Sequence, residues 1–255
     1  MPKPRVLVLR APGTNCDEET AFAWRLAGAE AETWHVGRVV ESPGALDSFQ
    51  VLTLPGGFSY GDDLGAGRIL ATRLGTVLGD ALRRFRERGG LVLGICNGFQ
   101  VLVKAGLLPG TPGGRPATLT FNDSGHFEAR WVRLVPTPGL SPFLVDDEPM
   151  ELPVAHGEGK FIVADSGLSA LESAGQVVLR YADLDGRPTA SYPANPNGSP
   201  GAVAGVCDPT GRIFGLMPHP ERHIDPLHHP RWTRLGLDRE GDGLRIFRHA
   251  VTALS

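Results

Sequence analysis

Residues 91–100, LVLGICNGFQ, constrain this chain more than any other stretch of it. Leu91-Val92-Leu93 reads as a buried strand, Gly94 ends the run, and Phe99-Gln100-Val101-Leu102 opens an amphipathic helix. Between strand and helix stands one cysteine, Cys96, framed by Gly94 and Gly98. Glycine adopts backbone angles that other residues resist, so the frame predicts a tight, strained turn. Such a turn lifts one side chain off the sheet end and over a helix N-terminus, as in the nucleophile elbow that presents a serine. A thiol placed there is made more reactive by the helix end and by a nearby base. The competing reading is a buried structural cysteine in an ordinary joint. The rest of the chain must therefore supply a base and an oxyanion site.

Short apolar runs at residues 5–9, 31–36 and 49–54 predict three further strands, the last stopping at Pro55-Gly56-Gly57. A helix is expected from about residue 17 to 28, capped by Asn15 or Asp17, with Glu18 and Glu19 in its first turn and Phe22 and Leu26 one turn apart. A glycine-rich loop follows residue 57. After it a helix runs to about Arg88, with Val77, Leu78, Ala81, Leu82 and Phe85 on one face. This alternation predicts an α/β fold: a flavodoxin-like, mostly parallel sheet with helices on both faces. Ligands bind such sheets beyond the carboxyl ends of the strands, where Gly57 and Cys96 would both lie.

After Gly106 the rhythm changes. Residues 117–122, 128–135, 152–163 and 177–182 read as strands without full helices between them. Asp208-Pro-Thr-Gly211 separates two more runs, 202–207 and 212–217, as a hairpin would. Antiparallel strands should therefore extend the sheet, and a last helix should cover about 243–254. The tract 193–200 reads as an ordered loop. With no internal repeat and no linker in sight, residues 1–255 are expected to form one domain.

Composition narrows the function classes. The charged fraction is 21% and the formal net charge −3, and Arg83, Arg84, Arg86 and Arg88 read as a solvated helix face, so a nucleic-acid partner is not expected. Apolar runs are too short for a membrane span or a signal peptide. The cysteines are three, Cys16, Cys96 and Cys207, with no CxxC pair. That predicts a cytoplasmic protein without a disulfide framework. Cys207 reads as core, and Cys16 as a surface thiol or a helix-entry residue.

A cysteine nucleophile needs a group that takes its proton and later protonates the leaving group, and histidine does this best near neutral pH. Of eight histidines, His219 has the suggestive frame, Met217-Pro-His-Pro-Glu221. Prolines on both sides bar a helix there. Glu221, two residues on, would share a side with His219 in an extended segment and could orient it. The backbone N–H groups of Asn97 and Gly57 are the candidate oxyanion donors. His223, His228 and His229 show no metal-binding spacing, so no metal is expected. His156 either lines the pocket or occupies a glycine-rich turn.

These motifs together resemble the class I glutamine amidotransferases. Gly94-Ile-Cys96-Asn-Gly98-Phe-Gln100 keeps every fixed position of the pattern G-x-C-x-G-x-Q, with Pro55-Gly56-Gly57 before it and His219-Pro-Glu221 after it. Within the family, segments along nearly the whole chain resemble the glutaminase subunits of a purine-biosynthetic synthase. They include Pro12-Gly-Thr-Asn-Cys16, Pro55-Gly-Gly-Phe-Ser-Tyr-Gly-Asp-Asp63, Asn122-Asp-Ser-Gly-His-Phe-Glu128 and Ala155-His-Gly-Glu-Gly-Lys-Phe161. Thr14 stands where many relatives have serine, and the loops at 109–116 and 226–230 look longer or unusual.

The resemblance implies that Cys96 attacks the glutamine side-chain amide, that His219 and Glu221 complete the triad, and that Gln100 helps hold glutamine. Asn122, Ser124 and Phe127 are weaker candidates for that pocket. It implies no cofactor in this chain. A large synthase subunit using ATP and Mg would take the ammonia and convert formylglycinamide ribonucleotide to its amidine, with a small bridging subunit as a further partner. Two alternatives stand beside it: a stand-alone cysteine amidohydrolase of the same fold, and a non-enzymatic α/β binding module.

Overall fold

The computed structural model describes residues 2–110, 117–164, 166–236 and 240–255. Among the described residues eleven strands are present: β1 Arg5–Arg10, β2 Glu30–His35, β3 Val51–Leu54, β4 Leu91–Ile95, β5 Ala117–Thr120, β6 Glu128–Pro136, β7 Met150–His156, β8 Lys160–Val163, β9 Val177–Ala182, β10 Val203–Cys207 and β11 Ile213–Leu216. Nine of them form one sheet in the order β2-β1-β3-β4-β11-β10-β9-β6-β7. The five strands from β2 to β11 are parallel, the flavodoxin-like order with β11 as its fifth member. From β11 outward the pairings β10, β9, β6 and β7 are antiparallel, as the second half of the sequence predicts. β5 and β8 pair apart from this sheet, as a small antiparallel ribbon.

The helices are α1 Asp17–Leu26, α2 Val36–Glu41, α3 Arg68–Val77, α4 Gly79–Glu87, α5 Asn97–Lys104, α6 Gly167–Ser173, α7 Trp232–Leu235 and α8 Leu244–Ala253. Two adjacent residues of β3 show how they flank the sheet. Thr53 Oγ1 accepts a hydrogen bond from Trp24 of α1, whereas Leu54 meets Gly98 of α5. Successive strand side chains point to opposite faces, so α1 and α5 lie on opposite sides. Trp24 also packs edge-on against Phe247 of α8, with ring centroids 5.0 Å apart. β1, β3 and β4 are buried almost throughout, as a covered parallel sheet requires.

Several local expectations are corrected. Neither Asn15 nor Asp17 caps α1: Cys16 holds the N-cap position without a side-chain cap bond. Asp17 instead pairs with Arg10 at 2.8 Å. Phe22 and Leu26 are exposed, because α1 turns Thr20, Ala21 and Trp24 inward. The helix expected before Arg88 is two, α3 and α4, meeting at Leu78. Leu78, Ala81, Leu82 and Phe85 are buried as predicted, while the side chain of Val77 lies outside the described residues, as do residues 111–116 of the loop at 109–116. The run 152–163 is two strands, interrupted at Gly157, and α6 lies between β8 and β9 where no helix was expected. Arg88 is exposed, as expected of a solvated face, and its guanidinium also bonds the carbonyls of Leu46 and Phe49 and the Asp47 carboxylate. The 193–200 tract is an ordered loop, with Asn195, Asn197 and Ser199 buried and bonded to one another and to Tyr181.

Candidate active site

Parallel strands point their carboxyl ends the same way, so the loops leaving β3, β4 and β11 converge. They carry Gly57, Cys96 and His219. The first anchor is main chain: Cys96 N–H donates to Leu216 O at 2.8 Å, tying the end of β4 to the end of β11.

The turn at Cys96 is strained, but its glycines act differently from the expectation. The positive φ falls on Cys96 itself, at φ 50 and ψ −104. Neither Gly94 nor Gly98 has a positive φ. What they provide is space. A Cβ on Gly98 would sit 1.9 Å from Leu54 O, and one on Gly94 would sit 2.5 Å from Leu102 Cδ1. The helix can therefore close onto β3 and β4 only with bare backbone at both positions. A non-glycine residue in such a region costs on the order of 1–3 kcal/mol, held in place by the surrounding packing.

His219 is buried, with its N–H bonded to Pro153 O at 2.8 Å. Its Nδ1 lies 2.6 Å from Glu221 Oε1, and Nε2 has no hydrogen-bond partner. Burial pushes the imidazole pKa down, but the Glu221 carboxylate and the Cys96 and Cys16 sulfurs push harder, and the net shift is well above the ordinary value. The geometry makes Nδ1 the proton donor to Glu221 and leaves Nε2 free to exchange a proton with a reacting group. Cys96 Sγ is buried beside this ring and lies 3.7 Å from Ala155 O.

On the other side stands Gly57, with φ at +139. Phe58 N–H donates to Gly13 O, and Asn15 and Cys16 N–H both donate to Gly56 O, so the 12–16 loop braces the Gly56-Gly57 turn. Asn97 is the first residue of α5, where N–H groups lack helical partners. Its side chain accepts from Ser59 N–H and donates to Asp62 and Gln100, holding the 57–62 loop against the helix. Burial raises the Asp62 pKa, against the pull of Gly67 N–H and Asn97.

Two cavities of about 160 Å³ each meet at Cys96, sharing Gly57, Phe58, Phe127 and Ala155. One is lined further by Asp62, Gln100, His156 and Glu158, the other by Asn15, Cys16, His219 and Arg222. Larger cavities, of about 400 to 560 Å³, lie elsewhere in the fold, and none is lined by a cysteine. Of the residues singled out in the sequence, Gln100 lines the first cavity and donates to Glu158 O at 2.6 Å, and Phe127 lines both. Asn122 is placed behind them. Its amide bonds His126 O, His156 O, His156 Nδ1 and Gly159 N–H, which fixes the turn at 156–159. Ser124 accepts from His126 N–H and lines neither cavity.

His156 is a pocket residue. It is buried with Nε2 unpartnered, and burial and the nearby His219 push its pKa down to about 3, so it is a neutral imidazole. His223 and His229 pack on Trp131 and bond Glu151 of β7. Cys16, His219 and Glu221 have ligand atoms within 4.8 Å of one another, the one such group among the described residues. Protein partners already engage them: Glu221 on His219, and Arg222 and Asn15 on Cys16. Cys16 is a helix-entry residue, one of the two readings of it, and it is buried at the head of α1 rather than a surface thiol. Its place in the site, and those of Asp62 and Arg222, were not foreseen, because a contact between residues some two hundred positions apart leaves no local signal.

A thiol beside an imidazole that is paired with a carboxylate is an arrangement that can carry out acyl transfer. Residues 3–252 match the model of a CobB/CobQ-like glutamine amidotransferase domain, and the chain belongs to that family. Within it the chain is similar to phosphoribosylformylglycinamidine synthase subunit PurQ. It is 50% identical to that subunit of Dehalococcoides mccartyi over 253 residues, 98% of each chain. It is 39% identical to that of Methanococcus maripaludis, over 97% of this chain and 96% of the relative. Among solved structures, a chain of PurLQS from Thermotoga maritima superposes over all of both chains, at 32% identity and a TM-score of 0.77.

Proposed function

We propose that this chain is the glutaminase subunit of a phosphoribosylformylglycinamidine synthase, folded as one domain over residues 1–255. It hydrolyses glutamine to glutamate and ammonia for de novo purine biosynthesis. The observation that carries the chemistry is the 2.6 Å contact of His219 Nδ1 with Glu221 Oε1, its far nitrogen unpartnered beside Cys96.

Glutamine enters the cavity floored by Gln100, and its side-chain carbonyl reaches the Cys96 sulfur. His219 Nε2, whose raised pKa favours the imidazolium, takes and holds the Cys96 proton as sulfur attacks the amide carbon. The oxygen becomes an oxyanion, met by the N–H groups of Gly57 and Asn97. Each such donor is worth about 10²–10³ in rate. His219 then gives its proton to the amide nitrogen, the C–N bond breaks, and ammonia leaves a thioester on Cys96. A water deprotonated by His219 attacks the thioester through a second oxyanion and releases glutamate. Glu221 keeps the Nδ1 proton in place and stabilises the imidazolium at each step.

The ammonia passes to a large synthase subunit, which uses ATP and Mg²⁺ to convert formylglycinamide ribonucleotide to the amidine. A small bridging subunit completes the complex, and the work is done in the cytoplasm. Supporting this are the full-length likeness to PurQ subunits and the likeness to a chain of PurLQS. None of the helices among the described residues is long and apolar enough to cross a membrane. The test is co-purification with the large subunit, followed by glutamine-dependent amidine formation. Labelling by a glutamine-analogue alkylator is expected at Cys96. Full glutaminase activity in the isolated chain, unchanged by the partner, would overturn the subunit assignment.

A further inference from the structure

The oxyanion donor and the base belong to different segments. Gly57 follows β3, and His219 follows β11. A misplacement of about 1 Å between such groups costs about 10² in rate, so something must hold the segments together.

One residue touches both. Cys16 gives its main-chain N–H to Gly56 O at 3.3 Å, which bonds it to the oxyanion loop. Its sulfur is fully buried. The thiol donates to Asn15 Oδ1 at 3.2 Å and accepts from Arg222 Nη2 at 3.0 Å, and Arg222 directly follows Glu221. Arg222 is itself fixed by Glu19 of α1. The contact with the base is close. A Cβ on Gly56 would fall 2.8 Å from His219 Cε1 and 3.1 Å from Cys16 Sγ, so bare backbone, thiol and imidazole pack as one cluster. Burial pushes the Cys16 pKa up, more than His219 pulls it down, so the group stays a neutral thiol and leaves the base to Cys96.

We propose that Cys16 is a positioning residue, a latch that fixes the Gly57 loop against the His219 loop through its main chain on one side and its Arg222-bonded sulfur on the other. The proposal rests on the glutaminase reading. Cys16 acts through its contact with the His219 ring, so its removal acts on the placement of groups that work in the transition state. It lowers kcat and leaves glutamine binding in the Gln100 cavity alone.

The test is steady-state glutamine hydrolysis by the full chain, alone and with the large synthase subunit, for wild type, Cys16→Ala, Cys16→Ser and Arg222→Gln. Cys16→Ala is expected to lower kcat by about 10- to 100-fold. Its KM should stay within about twofold, the pattern of a lost transition-state interaction. Cys16→Ser keeps a donor and an acceptor and should recover most of the loss. Arg222→Gln breaks the latch from the other side, so it should show the same split even where Cys16→Ala does not fold. The double variant should be little worse than the poorer single one, because both remove one contact. An unchanged kcat in a folded Cys16→Ala or Arg222→Gln chain overturns the latch, as does a loss confined to KM. Absence of glutamine hydrolysis in the wild type, alone and with its partner, overturns the glutaminase reading itself.

Discussion

His219 and Glu221, two residues apart and both almost wholly buried, bring Nδ1 and Oε1 to 2.6 Å with proline on either side of the histidine. The carboxylate holds one proton on Nδ1 and keeps the other ring nitrogen free. Replacing Glu221 with glutamine preserves shape and removes the charge. Glutaminase kcat should fall by about 10³–10⁴, the scale seen when a triad acid is neutralised. KM should move little, and activity near wild type would remove Glu221 from the mechanism.

Acid should destabilise the fold through His156. Its pKa is about 3 in the native chain, against the ordinary 6.5 that the unfolded chain regains. Between those values the unfolded state binds the extra proton, so stability is lost as pH falls below about 6.5. From pH 7 to pH 5 the loss from this one group is on the order of 2 kcal/mol. His219 acts in the opposite sense: its raised pKa gives stability that is present below about 6.5 and fades as pH rises through the native value. Urea midpoints of wild type and His156→Asn at both pH values separate the two, and the variant should lose less on acidification. Equal losses would show that His156 does not carry the effect.

Gly98→Ala tests the close approach of α5 to β3. In an exposed helix the change would stabilise by about 1 kcal/mol. Here the new Cβ would meet Leu54 O at 1.9 Å, so the sign should reverse. Overpacking of this kind costs about 1–3 kcal/mol, and the displaced helix should also spoil the Cys96 turn. A urea midpoint at or above wild type would contradict the contact.

Strain at Cys96 makes a paired prediction. Cys96→Ala and Cys96→Gly should both abolish glutaminase. Only glycine relieves a φ of 50, so Cys96→Gly should be the more stable of the two by about 1–2 kcal/mol. Equal thermal midpoints would mean that the turn is not strained.

Much of this was legible in the residues because the information is local. An apolar run ending in glycine, a cysteine and a helix start are contiguous, and so are the histidine, its prolines and Glu221. The parallel core follows from strand-helix alternation, and the antiparallel extension from its loss after Gly106. What stayed hidden depends on contacts between distant segments. α1 has one exposed aromatic at Phe22 and one buried at Trp24, and only the partners Thr53 and Phe247 decide which faces inward. Asn122 reads like a pocket residue but spends its amide on the turn beneath the pocket. The roles of Gly94 and Gly98 follow from what packs against them rather than from their own torsions.

The bond from Cys96 N–H to Leu216 O also has a consequence in time. Among the described residues β11 is the last strand in chain order, yet it takes its place in the middle of the sheet, between β4 and β10. During synthesis Cys96 therefore emerges well before His219. On the proposed roles, a growing chain carries an idle Cys96 thiol until β11 is inserted.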